Sequence, residues 1–232
     1  MRDPDSTRLI ARFSDAERLL HWLFFLDAAV LTLTGLGLYL PPNRNPVLDR
    51  RELVRTIHID AAILLAVLPV LIVSVRPGTL ARLWRDVEWF TPDDWRWLRR
   101  SLIPAPLRRR PTPAQGRFNA GQKLNTIAIA AATCGFFATG ALMYIGAHLP
   151  PSLADAADTW HIWLMLLCAP LVGGHLAFAL LLPSTRPALR GIVTGVVRLD
   201  YARRRHAAWA EEVAGPAPEV EARAAEATAG RG

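Results

Sequence analysis

The chain has 232 residues, 52% of them hydrophobic, and its 27 Lys and Arg outnumber 20 Asp and Glu for a net charge of +7. A soluble domain is excluded, because the apolar residues gather in four blocks of roughly 20, the length that crosses ~30 Å of hydrocarbon. A nucleic-acid partner is excluded too, because the basic residues cluster between and beyond these blocks as topology signals rather than forming one basic face.

Residues 1–13 form a short polar start. Ser14-Asp15-Ala16-Glu17 has the form of a capping box, which starts the first helix ahead of the bilayer and places His21 about two turns in. The first span covers about residues 19–40 and ends at Pro41-Pro42. It lacks a small-residue cleavage pattern and carries His21, so it reads as a retained span rather than a signal peptide. Asp27 lies in the same span, rotated away from His21. Its structural reading, pairing with an arginine or polar group of a neighbouring helix, outweighs a part in a proton path.

Asn45-Pro46 supplies a cap and first helical residue for helix two, whose apolar run covers about 56–75 and holds His58. Residues 76–118 mix Trp84, Trp89, Trp95 and Trp97 with arginines and prolines. That composition predicts short helices at headgroup level, indoles at the interface and guanidinium groups reaching outward. The third span, about 119–147, begins at Asn119. A short loop with His148 follows, and Ser152 with Asp155 predicts a second capping box ahead of the fourth span, about 159–182. Residues 184–212 read as an amphipathic tail on the inner membrane surface, and 213–232, rich in Ala, Glu, Pro and Gly, as a disordered terminus. Cys134 and Cys168 lie in spans without metal-type spacing and read as buried packing residues. His148 and His206 read as solvated surface residues.

Of the 27 basic residues, 23 fall on the side of the two termini and four on the other. The excess marks the cytoplasmic face. Residues 14–212 are therefore expected to form an all-α, integral membrane four-helix bundle in the bacterial inner membrane, with both termini cytoplasmic.

Four histidines stand inside the apolar segments, where ionisable residues are costly and mark function. His161 and His175 are fourteen residues apart in WHIWLMLLCAPLVGGH. At ~1.5 Å rise that is about 21 Å, close to four turns, so both rings leave the helix on nearly the same side. With the topology above, His58 and His161 share the outer depth, and His21 and His175 the inner one. Neutral imidazole is a good axial ligand for haem iron. Two same-depth pairs predict two haems b, each with both axial positions filled, a state that favours electron transfer over oxygen chemistry. Gly35, Gly140, Gly173 and Gly174 are candidates to line the macrocycles. A metal-transport site would instead gather His with Cys or carboxylates at one depth, and a lone membrane histidine would be an interhelical hydrogen bond.

The stretches RLLHWLFFLDAAVLTLTGLGLYLP, RTIHID, GRFNAGQKLN, the His161–His175 interval and GIVTGVVRLDYARRRHAAW resemble the gamma subunit of respiratory formate dehydrogenases, a di-haem cytochrome b family, over about residues 8–212. The resemblance implies a membrane anchor for an iron–sulfur beta subunit and a molybdenum- or tungsten-containing alpha subunit that oxidises formate. Electrons would pass to the outer haem of His58 and His161, then to the inner haem of His21 and His175, and finally to a quinone, ubiquinone or menaquinone. It further implies that Asn119 and Gly121 of NAGQK belong to the quinone pocket, beside the inner haem. The Asn119 amide can donate to a quinone carbonyl, and Gly121 permits close backbone approach. A polar helix cap is the competing reading of Asn119. Asp27 and Asp60 depart from the pattern where apolar and proline-like positions are usual. The histidine pattern is shared with cytochrome b subunits of nickel–iron hydrogenases. A stand-alone quinone-linked cytochrome b and a haem-free membrane anchor or transporter are the other readings.

Overall fold

The computed structural model describes residues 7–87, 90–107 and 110–216. Trp89 and most of the expected disordered terminus, 217–232, lie outside the described residues. Nine helices are described: α1 Asp15–Tyr39, α2 Arg51–Val75, α3 Gly78–Val87, α4 Pro92–Ser101, α5 Ala120–Tyr144, α6 Pro151–Leu180, α7 Arg186–Thr194, α8 Leu199–Arg205 and α9 Ala207–Ala214. Two short strands, β1 Leu9–Ala11 and β2 Val196–Arg198, and four short 3₁₀ turns complete the described elements. Four of the helices, α1, α2, α5 and α6, are long and apolar enough to cross a membrane. The architecture is a helical membrane bundle. Two compact units divide the chain: Ser14–Arg82 with Ile129–His175, and Met1–Phe13 with Leu83–Ala128 and Leu176–Gly232.

The first unit holds the bundle core. Its entrance is the Ser14 capping box: the Ser14 hydroxyl accepts from the Glu17 N–H at 3.3 Å, and the Ser14 N–H donates to the Glu17 carboxylate at 2.8 Å. Along α1, side chains such as Leu33, 70% exposed, face away from the protein. Apolar surface of this kind on a helix whose backbone is satisfied internally is what hydrocarbon requires. Where α5 meets α6, a Cβ on Gly135 would stand 3.0 Å from Leu164 Cδ1, so the missing side chain makes room for that leucine. Cys134 is exposed on α5 rather than buried, and Cys168 is half-buried.

Two expected caps are placed differently. Asn45 does not start α2, which begins at Arg51 after a 3₁₀ turn over Leu48–Arg50. Instead its amide donates to the carbonyls of Gly37 at 2.7 Å and Leu40 at 3.3 Å, while its oxygen accepts from Val47 N–H at 3.0 Å. Asn45 thus closes the end of α1, satisfying carbonyls that a helix terminus leaves without partners. At α6, Pro151 is the first helical residue, and Leu153 N–H donates to the Pro150 carbonyl at 2.9 Å. A fixed φ and no N–H suit proline to that position, so the helix starts before Ser152 can cap it.

The second unit has its own small core of Val197, Leu199, Tyr201, Ala202, Trp209 and Ala210. β1 pairs antiparallel with β2, Ile10 opposite Val197. The turn between α7 and β2 needs Gly195, whose φ of +85° is left-handed. Its N–H donates to Gly191 O at 2.8 Å, and its carbonyl accepts from Arg12 N–H at 2.7 Å and Phe13 N–H at 3.1 Å. Residues 184–212, expected as an amphipathic segment, supply Val197, Leu199, Tyr201, Ala202, Trp209 and Ala210 to this core, while Val193 on α7 is exposed. The short helices expected within residues 76–118 are α3 and α4, with Trp84 and Trp95 exposed.

Candidate functional site

The four intramembrane histidines lie in the first unit and meet in two pairs. The His58 ring on α2 and the His161 ring on α6 have centroids 6.3 Å apart, with planes at 67°. The His21 ring on α1 and the His175 ring on α6 are 6.5 Å apart, with planes at 48°. An imidazole nitrogen binds a metal at about 2.0 Å, so two imidazoles on opposite faces of one metal ion have centroids ~6 Å apart. Both pairs match that spacing. Each offers two nitrogens, and among the described residues no three His, Cys, Asp or Glu side chains converge as a metal cage. Two axial nitrogens and no protein equatorial ligands are the donor set of a bis-histidine haem.

The two pairs are supported differently. At His58, the Thr34 hydroxyl lies 2.8 Å from Nδ1, and a Cβ on the next residue, Gly35, would stand 3.3 Å from the ring's Cε1. At His161, the Thr139 hydroxyl lies 2.8 Å from Nδ1, and a Cβ on Gly140 would stand 3.6 Å from Cε1. Phe136 packs edge-on against the same ring at 5.1 Å. Gly35 and Gly140, expected to line a macrocycle, thus face the edges of the His58 and His161 rings, Gly35 the more tightly. At the other pair, Trp22 stands edge-on to His21 at 5.5 Å, and His21 Nδ1 is buried without a hydrogen-bond partner among the described residues. A Cβ on Gly173 or Gly174 would meet nothing within 4 Å, which leaves that flank of α6 open to a flat ligand. Asp27, expected to pair with an arginine or polar group of a neighbouring helix, is buried on α1, and its Oδ2 has no hydrogen-bond partner among the described residues.

Asn119 and Gly121 lie in the second unit, at the start of α5. Asn119 Oδ1 accepts from Gln122 N–H at 2.9 Å, and Asn119 N–H donates to Gln122 Oε1 at 3.0 Å, a reciprocal cap. The capping reading of Asn119 is thus realised through its oxygen, and its amide N–H groups make no hydrogen bond among the described residues. Gly121 faces Trp97: a Cβ there would stand 3.6 Å from the indole Cζ3. The Lys123 ammonium donates to the Asp94 carboxylate at 3.0 Å. Gln115 escaped sequence reasoning: its buried side chain accepts from Ala120 N–H at 2.7 Å, and its carbonyl accepts from Ala208 N–H at 3.1 Å.

His206 is the clearest departure. Expected on the surface, it is 1% exposed, and its Nδ1–H donates to the Gly116 carbonyl at 2.9 Å. Burial pushes its pKa down to about 3, Arg12 adds to the shift, and the bond to Gly116 opposes it. The ordinary value in an unfolded chain is about 6.5, so the unfolded state binds the proton more readily between these limits. Stability of this unit is therefore expected to rise with pH from ~3 to ~6.5 and to be lost on acidification through that window, by at most about 1.4 kcal/mol per pH unit. Hydrogen exchange across residues 196–214 should show the slope, and His206→Gln should flatten it. Asp200 acts lower: burial alone would raise its carboxyl, but Arg198, Arg204 and the Tyr201 N–H hold it below the usual value.

The sequence profile of the family described as prokaryotic cytochrome b561 matches residues 12–195, most of the chain and all four paired histidines. No curated protein matches the sequence.

Proposed function

This chain belongs to the prokaryotic cytochrome b561 family, and we propose that it is the membrane-anchoring cytochrome b subunit of a formate dehydrogenase complex. In this reading it sits in the bacterial inner membrane with both termini cytoplasmic and carries electrons from an iron–sulfur beta subunit to quinone. The observation that carries it is the pair of ring spacings, 6.3 Å for His58 with His161 and 6.5 Å for His21 with His175. When bound, two haems b supply one-electron iron couples at two levels of the bundle. His58 and His161 hold one, and His21 and His175 the other, each ring presenting a nitrogen lone pair. Asn119 caps α5 with its oxygen and keeps its N–H groups for a quinone carbonyl, with Trp97 beside Gly121 as an aromatic wall.

Formate itself is oxidised in the molybdenum- or tungsten-containing alpha subunit; this chain is the quinone-reducing part of the enzyme. The choice of formate rests on the resemblance of GRFNAGQKLN, since the family embraces a hydrogenase-type cytochrome b equally. Purification from native membranes under mild detergent should give a dithionite-reduced minus oxidised spectrum with b-type α-bands, copurifying iron–sulfur and molybdopterin subunits, and formate–quinone activity. Asn119→Ala should raise the KM for quinone while leaving formate–viologen activity unchanged. Hydrogen–quinone activity with a nickel-containing partner would overturn the formate reading and keep the cytochrome. Correctly folded protein supplied with haem but lacking α-bands would overturn both.

A further inference from the structure

The two histidine pairs differ in one respect that bears on their chemistry, and the difference is spelled twice in the sequence as Thr-Gly. We propose that Thr34 and Thr139 are positioning residues that fix the tautomers of His58 and His161 and make this pair the more electron-donating of the two ligand sets. The inference rests on the cytochrome reading above.

A threonine hydroxyl has one proton. Thr34 Oγ1 directs it at its own helix, 2.7 Å from Val30 O and 3.2 Å from Leu31 O. Thr139 does the same, 2.8 Å from Gly135 O and 3.3 Å from Phe136 O. With the proton committed to a backbone carbonyl, each oxygen meets its histidine as an acceptor, and Nδ1–H donates to it at 2.8 Å. Both rings are thereby held as the Nδ1–H tautomer, which leaves the lone pair on Nε2 as the ligand. The adjoining Gly35 leaves room for the His58 Cε1, which a Cβ there would meet at 3.3 Å, and at Gly140 the His161 ring lies at ordinary contact distance. One device thus serves both ligands of one pair, from α1 onto α2 and from α5 onto α6.

Hydrogen bonding of the far ring nitrogen fixes the orientation of a metal-ligating histidine and raises its basicity. A more basic axial ligand stabilises the oxidised, more positive iron, so it lowers the reduction potential. The His21 ring has no such partner on Nδ1 among the described residues. A haem held by His58 and His161 would therefore have the lower potential of the two.

The test is a spectroelectrochemical titration of the purified complex carrying Thr34→Val, Thr139→Val, both together, or the corresponding serine variants. Valine keeps the β-branched shape and removes the acceptor; serine keeps the acceptor. Each valine variant should raise the midpoint of one haem component alone, on the order of tenfold in its reduction equilibrium, which is ~59 mV for one electron. The double variant should raise it further, serine should restore it, and the ferric low-spin EPR signal of that component should move with the midpoint. A valine variant that loses one haem while its serine counterpart keeps it, at the wild-type midpoint, supports the same role for the hydroxyl. Unchanged midpoints, equal shifts in both components, or serine behaving like valine would overturn the inference while leaving the two-haem reading intact. Wild-type protein without haem would overturn both.

Discussion

Replacing His161 with alanine is expected to remove one haem and leave the other. The two histidine levels are fourteen residues apart on α6, about 21 Å along the helix, and share no ring or hydrogen-bond contact among the described residues. Effects at sites farther apart than ~10 Å without shared partners usually do not couple. His175 should therefore keep its pairing with His21 when His161 is lost, while His58 retains its bond to Thr34 but has no second ring opposite. Haem per protein should fall from two to one, and the α-band of the reduced minus oxidised spectrum should fall by roughly half. The remaining component should keep its wavelength and midpoint. Haem extraction against protein, with helicity checked by circular dichroism, reads the result directly. Loss of both components from a protein that keeps its helices would show that the pairs are not independent and would sink the assignment of one haem to each. His175→Ala should give the mirror result.

The four long helices were legible because length and hydropathy alone specify a membrane helix, and the His161–His175 interval was legible as a ruler because a helix has a fixed rise. The threonines were not. A membrane-helix threonine normally bonds the carbonyl four residues back, and Thr34 and Thr139 do so, which makes them look locally satisfied. Only their second contact, across to another helix, gives them a role, and no periodicity reports it. Asn45 was misplaced for a related reason: an Asn-Pro pair looks the same whether it closes the preceding helix or opens the next. His206 stands in an arginine-rich run that reads as solvated, yet it is buried through Gly116, Tyr201 and Trp209, contacts that no local pattern reports. Around Asn119 the chemistry of the motif and its cap were readable, since the capping partner Gln122 is only three residues on, but the indole of Trp97 against Gly121 comes from α4 and no local pattern reports it.

Asp94→Ala should be the most destabilising single change in the second unit. The Asp94 carboxylate accepts from the Thr91 N–H at 2.9 Å and the Thr91 hydroxyl at 3.2 Å, closing the first turn of α4, and from Lys123 Nζ at 3.0 Å. Both charged side chains are largely covered, Asp94 5% and Lys123 14% exposed. Removing one partner of a buried pair costs about 3–5 kcal/mol, because the remaining charge keeps its desolvation penalty. Loss of the cap adds about 1 kcal/mol. The neighbouring Asp93 supplies the control. Its pair with Arg96 is more than half exposed on both sides, so Asp93→Ala should cost no more than ~0.5 kcal/mol. Asp94→Asn should fall between them, since it retains an acceptor oxygen for Thr91 but no charge for Lys123. Denaturant unfolding in detergent, with hydrogen exchange over residues 91–103 and 119–126, would separate the three. Equal stability of Asp94→Ala and Asp93→Ala would refute the account. The consequence reaches beyond stability, because Lys123 is one turn from Asn119. Releasing the start of α5 from α4 should loosen the cap that holds the Asn119 amide in place. Asp94→Ala is therefore expected to weaken quinone binding as Asn119→Ala does, although Asp94 itself makes no contact with quinone in the proposed site.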